Sequence, residues 1–240
     1  MKQFAIIGLG SFGLRVLEEL LELDVEVLII DKDESVVSQY RNHVHSAYVA
    51  DAIKEETINK IIPADIDVAM IDLGDQTEAS ILAVNYLKKL GVGRIVAKAE
   101  TDEHGEVLQL VGATDVVFPN REAAKRILPP LLSHAMFNYM PISDELVLAE
   151  VGLPPDFAGQ SVAESEIRAR LGLNVVAVKP EGEGGFVFVS PSHTIRESDR
   201  FLVVGASEAV TSYGEQTSGE GGRHWFGRFF RPRTPQQHPG

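Results

Sequence analysis

The first half of the chain alternates short apolar runs, rich in β-branched residues, with amphipathic segments. The runs are mostly apolar throughout, as in strands that are buried on both faces of a parallel sheet. Segments of helical periodicity between successive strands are typical of such a sheet when helices cover both of its faces. The pattern predicts an α/β fold, a Rossmann-type doubly wound parallel sheet, with strands at residues 4–7, 25–30, 45–49, 68–71, 94–97 and 116–118.

Helices are predicted between these strands. The first begins near Phe12 and carries Leu14, Leu17 and Leu21 on one face. Four later helices follow a residue whose side-chain oxygen can cap the helix, and they are predicted at 34–41 after Asp33, 76–90 after Asp75, 102–111 after Thr101 and 121–128 after Asn120. Because residues 78–90 leave little polar surface, we expect a subunit contact on the outer side of that helix.

The second half of the chain has a different texture. Pro129 and Pro130 are expected to end the sixth helix, and residues 131–140 are expected to form a helical connector. Short strands at 146–151, 175–178, 186–189 and 201–204, with a helix within 162–171, predict a small α+β domain. The expected organisation is a first domain over 1–135, a second over 143–212 and a flexible basic-aromatic tail over 213–240.

Charge and composition narrow the class of protein. With 35 acidic against 22 basic residues, a net charge of −13 disfavours binding to nucleic acid. The absence of cysteine excludes disulfides and thiolate metal sites. No apolar run approaches the roughly 20 residues that cross a bilayer, so we expect a cytoplasmic protein. The tail carries four arginines and several aromatic residues, among them Trp225; it suits an anionic membrane surface or a partner's groove, or it is a disordered terminus without a role.

Gly8, Gly10 and Gly13 lie between the first strand and the first helix. In that context the spacing fits a turn that lets a pyrophosphate approach the backbone and the helix N-terminus. Asp31 ends the second strand 18 residues after Gly13, where its carboxylate can accept hydrogen bonds from ribose hydroxyls and would repel a 2′-phosphate. The constellation predicts an adenine nucleotide site; the alternative is a glycine turn that binds nothing.

Other candidates follow later strands, on the edge where open sheets bind ligands. They are Asp51 and Ala52 after the third strand, Leu73, Gly74 and Asp75 after the fourth, and Lys98, Ala99 and Glu100 after the fifth. Lys98 either neutralises phosphate charge or forms an ion pair. His104 either reaches a phosphate or is a solvent-exposed residue of its helix.

Catalytic and metal sites are not indicated. About 120 residues follow the predicted sheet, where a dehydrogenase would need its substrate domain, and they contain no recognisable acid-base arrangement. His193 stands alone, and His43 and His45 lack a third ligand. We therefore expect neither an enzyme nor a metal protein.

The motifs together resemble one family. In chain order they are the glycine loop, Asp31, Asp51-Ala52, Lys98-Ala99, the segments 112–115 and 118–127, and in the second half 158–161, 166–168, 172–178 and 198–205. This succession over about residues 1–212 resembles the RCK (KTN/TrkA) family, and within it the Ktr-type cytosolic regulatory subunits of potassium channels and transporters.

The resemblance implies a nucleotide-sensing gating subunit that regulates potassium transport. It implies a homodimer, assembled into an octameric ring under a membrane-embedded potassium channel at the inner face of the membrane. The implied ligand is ATP or ADP, with NAD(H) as the alternative. Its contacts would be Gly8, Gly10, Ser11 and Gly13 at the phosphates, Asp31 at the ribose, Asp51, Ala52, Leu73 and Gly74 around the adenosine, and Lys98 near phosphate. Phe12, Lys32, Glu100 and His104 complete the set of candidate contacts.

Two positions depart from the family pattern. Ser11 stands where Ktr-type subunits place an arginine that reaches a terminal phosphate, which leaves ATP, ADP and NAD(H) all open. Asn120 replaces the glutamate of a divalent-cation site, so no metal is expected. The runner-up function is an NAD-dependent oxidoreductase, or a redox-sensing nucleotide-binding regulator without a channel.

The second domain carries one further expectation. Relatives in this family bind cyclic di-AMP there, and Arg168, Asn174, Pro191 and His193 occupy positions that fit that ligand. The alternative for Arg168 is an ion pair with a nearby acidic residue.

Overall fold

The computed structural model describes residues 1–218. Within these residues, contacts divide the chain into two compact units, 1–121 and 122–218. The arginine-rich part of the predicted tail lies outside the described residues. Within 1–218, no helix is both long enough and apolar enough to cross a bilayer.

A six-stranded parallel sheet forms the centre of the first unit. Its strands are β1 (Gln3–Ile7), β2 (Glu26–Asp31), β3 (Ser46–Val49), β4 (Val68–Ile71), β5 (Arg94–Lys98) and β6 (Asp115–Val117). They lie in the order β3-β2-β1-β4-β5-β6. The order reverses between β1 and β4, and a crevice forms at such a point beyond the carboxyl ends of the strands.

Helices cover both faces of this sheet. They are α1 (Ser11–Leu21), α2 (Glu34–Tyr40), α3 (Glu55–Ile61), α4 (Thr77–Leu90) and α5 (Asp102–Val111). Successive strand residues face opposite sides, so Ile6 packs in a cluster with Leu17 and Val37, whereas Ile7 packs in a second cluster with Ile58 and Leu87. The doubly wound α/β prediction is confirmed.

The helix boundaries correct several predictions. Asp33 and Thr101 cap α2 and α5 as expected, accepting from the backbone N–H groups of Ser35 and His104. Asp75 does not cap α4, which begins after Gln76. Helix α3 was not predicted at all; its seven residues bury Ile58 against the sheet, although so short a segment shows little periodicity.

Helix α6 (Pro119–Leu132) does not end at its two prolines. Asn120 lies inside its first turn and is not the residue before it. Pro129 and Pro130 fall in the last turn, and the Ser133 N–H donates to the Pro129 carbonyl at 3.1 Å. The helical hydrogen bonding therefore continues for one turn past the position where the prolines were expected to stop it.

The second unit is built on a five-stranded antiparallel sheet. Its elements are β7 (Met136–Pro141), β8 (Leu146–Gly152), α7 (Ile167–Leu171), β9 (Leu173–Lys179), β10 (Val187–Phe188), β11 (Arg200–Ala206) and α8 (Ser207–Gln216). The strand order is β10-β9-β11-β8-β7. The core holds Met136, Val151, Phe157 and Phe201.

Helix α8 was not predicted, and two segments of this unit differ from what was expected of them. The expected helical connector over 131–140 is in large part the strand β7, which pairs with β8 and buries Met136 and Tyr139. Its apolar spacing suits a helix and a strand alike, and pairing with β8 decides between them. Residues 213–216, expected to be flexible, complete α8; Tyr213 is buried there and donates from its hydroxyl to the Gly152 carbonyl.

Candidate functional site

A pocket of about 300 Å³ opens in the crevice between the carboxyl ends of the strands. This volume is at the lower end of the range for small-molecule sites. Its walls come from the turns after β1, β2, β3 and β4. The lining residues are Gly8, Leu9, Gly10, Ile30, Asp31, Lys32, Asp33, Val36, Ala50, Asp51, Ala52, Ile53, Asp72, Leu73, Gly74, Asp75, Gln76 and Ala79.

The glycine loop is packed tightly against the end of β4. Gly8 has φ +86°, in the left-handed region, and a Cβ there would overlap the Asp72 carbonyl. A Cβ on Gly10 would lie 2.5 Å from Asp72 Oδ2. Both positions therefore need glycine for a reason internal to the fold, because the backbone of the loop touches the residue that follows β4.

Asp72 is the central side chain of this contact, and the sequence analysis did not single it out. Its carboxylate is fully buried. Oδ2 accepts hydrogen bonds from the N–H groups of Phe12 at 3.1 Å and Gly13 at 2.9 Å. Oδ1 accepts one from Gly74 at 3.3 Å. The available signal was its position, since an aspartate directly after a buried strand lies on the same sheet edge as Gly8.

Lys98 faces Asp72 and is only 9% exposed. Its Nζ lies 3.3 Å from Asp72 Oδ1 and 2.9 Å from Glu100 Oε1. Burial alone would lower the pKa of Lys98, but its bonds to Glu100 and Asp72 outweigh burial and raise that pKa. Of the two predicted roles, the ion pair is the one present, and Lys98 does not line the pocket.

Asp31 lines the pocket and also holds the glycine loop. Its Oδ2 accepts from the Leu9 N–H at 2.6 Å, and its Oδ1 accepts from the Asp33 N–H at 2.8 Å. The neighbouring Lys32 donates to the side-chain oxygen of Gln76 at 3.2 Å. Asp31 thereby fixes the distance between the loop and the end of β2, where a ribose was expected.

His104 is neither exposed nor at the pocket. It is 7% exposed, and its Nε2 lies 2.7 Å from Ser80 Oγ. Since the Ser80 hydroxyl donates to the Thr77 carbonyl, it accepts from His104, which places the proton on Nε2. Burial lowers the pKa of His104, against an opposing effect of the Glu100 carboxylate. The expectation of a solvent-exposed histidine is therefore wrong.

The structure brings together eight of the fourteen residues that were predicted to contact the nucleotide. Those lining the pocket are Gly8, Gly10, Asp31, Lys32, Asp51, Ala52, Leu73 and Gly74. Those outside its lining are Ser11, Phe12, Gly13, Lys98, Glu100 and His104. Asp75, named beside Leu73 and Gly74 as a strand-end candidate, also lines the pocket. Asp33, Ile53, Asp72 and Gln76 were missed, and each lies between the end of a strand and the start of the next helix.

Two of the candidate residues of the second unit, Pro191 and His193, lie in a segment that is hydrogen-bonded to residues 162–163. The N–H groups of Val162 and Ala163 donate to the carbonyls of His193 and Pro191 at 3.0 and 2.9 Å. His193 does not stand alone, since its Nε2 lies 2.8 Å from Oδ2 of the buried Asp199. The Asn174 amide donates to the Val204 carbonyl at 3.2 Å.

Two expectations remain, an ion pair at Arg168 and the lack of a metal site. Arg168 is exposed, and within residues 1–218 it forms no ion pair of the kind expected as its alternative. Over the same residues, no group of three histidine, aspartate or glutamate side chains is arranged to hold a metal ion.

Comparison with known proteins agrees with this architecture. Residues 4–119 match the family model of the TrkA-N domain, and residues 146–216 match that of the TrkA-C domain. The Ktr system potassium uptake protein C of Bacillus subtilis is 35% identical over 214 residues, which cover 88% of this chain and 96% of that protein. The Ktr system potassium uptake protein A of Vibrio alginolyticus is 30% identical, covering 88% and 96%.

Solved structures share the fold. The RCK domain of GsuK superposes with a TM-score of 0.63 at 18% identity, covering 91% of this chain and 48% of that one. The GsuK channel bound to NAD gives 0.61 at 19% identity, covering 91% and 40%. With both domain models matched in order and a relative 35% identical along nearly its whole length, the chain belongs to the RCK (KTN/TrkA) family.

Proposed function

We propose that this chain is a nucleotide-sensing regulatory subunit of a potassium transport system. The observation that carries the proposal is the pocket at the strand-order reversal, where Gly8, Gly10 and Asp31 meet. Potassium transport is supported by the family and by the names of the Ktr relatives, which match along 88% of the chain.

The proposed ligand is an adenine nucleotide, ATP or ADP, with NAD(H) as the alternative. Its phosphates would lie at the glycine loop, its ribose at Asp31, and its adenosine among Asp51, Ala52 and Leu73. The size of the pocket and its place in the sheet support this arrangement. NAD(H) is retained as the alternative ligand because the GsuK channel, which has a similar fold, was solved bound to NAD.

Regulation requires a difference between two states of the protein. A nucleotide shifts a conformational equilibrium only if it binds one conformation more tightly than the other. The proposed assembly is a homodimer, within an octameric ring at the cytoplasmic face of a membrane-embedded potassium channel. The half-buried residues Ile81, Leu82 and Tyr86 of α4 are the proposed subunit contact. Co-purification with a potassium-transporting membrane subunit tests the partner.

The runner-up, an oxidoreductase, has less support. The titratable side chains that line the pocket are aspartates and Lys32, and the buried His104 does not reach it. The relatives that match along 88% of the chain are named as potassium uptake proteins, which favours the regulator. Steady turnover of NAD(H) with a small substrate would favour the enzyme over the regulator.

The central experiment identifies the nucleotide and then removes its contact. Mass spectrometry of the purified protein names the nucleotide that stays bound. Asp31→Ala is expected to abolish the rise in melting temperature that this nucleotide produces, because the ribose loses its acceptor. Two further variants serve as controls. Asp31→Asn keeps an acceptor for the Leu9 N–H, and Asp65→Ala changes an exposed aspartate outside the pocket. An unchanged shift in Asp31→Ala would exclude the assigned site.

For the second unit we propose a cyclic di-AMP site at Arg168, Asn174, Pro191 and His193. The hydrogen bonds that tie 162–163 to 191–193 support it, because they hold the segment before α7 against the loop that carries Pro191 and His193. Calorimetric titration with cyclic di-AMP is expected to give saturable heat that Arg168→Ala removes. Absence of heat in the unaltered protein would end this proposal.

A further inference from the structure

The N-terminus of α1 already holds an anion of the protein itself. In nucleotide-binding folds of this type, the first N–H groups of this helix point at the ligand's phosphates. Here the N–H groups of Phe12 and Gly13 donate to Asp72 Oδ2, at 3.1 and 2.9 Å. The carboxylate is fully buried and rests against the backbone at Gly10. It therefore occupies part of the surface that a phosphate would otherwise use.

Few donors remain for a ligand at this loop. The Leu9 N–H is bonded to Asp31, and the Gly8 N–H to the Ile30 carbonyl. Over residues 1–218, the N–H groups of Gly10 and Ser11 make no hydrogen bond within the chain. A phosphate that takes these two donors would sit close to the Asp72 carboxylate.

The charges around the pocket act in the same direction. Its lining holds five aspartates, Asp31, Asp33, Asp51, Asp72 and Asp75, against the single cation Lys32. Lys98 partly compensates Asp72, but it is shared with Glu100 and does not line the pocket. Each additional negative charge on a ligand is therefore repelled, more strongly at a partly buried site than in water.

From this geometry we propose that Asp72 selects the nucleotide by its charge, favouring a dinucleotide such as NAD(H) over ATP. The phosphates of a dinucleotide are internal diesters, each with one negative charge. The terminal phosphate of ATP carries about two, because its second pKa is near 6. The inference rests on the proposed function, since it concerns the same pocket, and it narrows the ligand class that the departure at Ser11 leaves open.

The test compares four ligands without divalent cations. ATP, ADP, NAD⁺ and NADH are titrated calorimetrically into the full-length protein and into Asp72→Asn. The unaltered protein is expected to bind NAD⁺ or NADH at least about tenfold more tightly than ATP, and Asp72→Asn is expected to reduce that ratio by about tenfold. Asp75→Asn is the matched control, because it removes the same charge from the pocket lining away from α1 and is expected to change the ratio far less.

Two results would overturn the inference. One is equal binding of ATP and the dinucleotides by the unaltered protein; the other is a ratio that stays the same in Asp72→Asn. In both of these cases nucleotides still bind, so the proposed function stands and only the inference about Asp72 fails. If none of the four ligands binds, the proposed function fails too.

Asp72 also caps α1, so the variant protein must be shown to fold. If Asp72→Asn is unfolded by circular dichroism, the unaltered protein is titrated with AMP, ADP and ATP. Affinity is then expected to fall with each added phosphate and to recover for ATP at higher salt, which screens charge. Affinity that rises along the series would contradict the proposal.

Discussion

Gly8 illustrates at the scale of one residue how the fold and the proposed site share a constraint. Gly8→Ala places a Cβ against the Asp72 carbonyl in a backbone region that alanine avoids. We expect a loss of more than about 2 kcal/mol in the free energy of unfolding, together with loss of nucleotide binding. Urea unfolding measures the first effect, and calorimetry the second.

Gly93→Ala is the matched control for this prediction. Its added Cβ meets no atom within 4 Å, and its φ lies outside the left-handed region. We expect a change within about 0.5 kcal/mol. Equal stability of the two variants would show that the loop relaxes around the new methyl group.

His104 predicts a dependence of stability on pH. Because burial lowers the pKa of His104 in the folded protein, the unfolded chain takes up this proton at a higher pH than the folded chain does. The contribution of His104 to stability is therefore present above about pH 6.5 and is lost as the pH falls through its lowered folded pKa. His104→Gln is expected to flatten the fall in melting temperature between about pH 7 and pH 5.

The exposed His43 supplies the comparison, since His43→Gln changes a histidine outside the core. It is expected to leave the pH profile as it is in the unaltered protein. A profile in His104→Gln as steep as that in His43→Gln would contradict the account of His104.

Sequence positions predicted which residues reach the sheet edge, but not how they pair there. Asp31 and Gly8 follow strands, and a motif of known spacing connects them. Asp72 also follows a strand, yet it belongs to no motif, and its bonds to Phe12 and Gly13 bridge about 60 residues of sequence. The sequence left two roles open for Lys98, a phosphate contact or an ion pair, because only the position of Asp72 decides between them.

At the scale of elements, Thr101 offers a direct measurement of helix capping. Its hydroxyl oxygen accepts from the His104 N–H at 3.2 Å at the start of α5. Thr101→Ala is expected to lower the free energy of unfolding by about 1 kcal/mol, whereas Thr101→Ser keeps the acceptor and most of the stability. Urea unfolding with an unchanged slope would assign the effect to the folded state; equal loss in both variants would exclude capping as the cause.

Element boundaries were predictable where local chemistry determines them. The caps at Asp33 and Thr101 act within three residues and were found. Strand β7 was not, because Met136 and Tyr139 are buried only through pairing with β8, which no local signal announces. The prolines of α6 were expected to end the helix, because proline removes a hydrogen bond to residue i−4 and clashes with its carbonyl; the structure continues the helix to Leu132, and no local signal explains it.

At the scale of the whole molecule, each unit has its own hydrophobic core. Phe201 is fully buried in the core of the second unit. Phe201→Ala is expected to cost the second unit about 3–5 kcal/mol, while nucleotide binding by the first unit persists. Hydrogen exchange should increase across β8, β9 and β11 and remain nucleotide-sensitive at the glycine loop. Loss of nucleotide protection in this variant would mean that the two cores unfold as one.

Fold class and the order of the two units could be predicted, because the spacing of apolar residues along the chain differs between buried parallel strands, amphipathic helices and the short strands of the second half. The start of the second sheet and the whole of helix α8 could not. Composition suggested flexibility after residue 212, but Val210 and Tyr213 supply the apolar face that holds α8 to the sheet.

The Asp72 cap has a further consequence for a protein whose proposed task is to report a metabolite. A helix that needed its ligand's phosphate to complete its first turn would lose order whenever the metabolite was scarce. Here the Asp72 carboxylate of the chain itself accepts from the first turn of α1, so that turn does not depend on a ligand's phosphate. A subunit that stays folded without the metabolite can signal a low concentration of the metabolite as well as a high one.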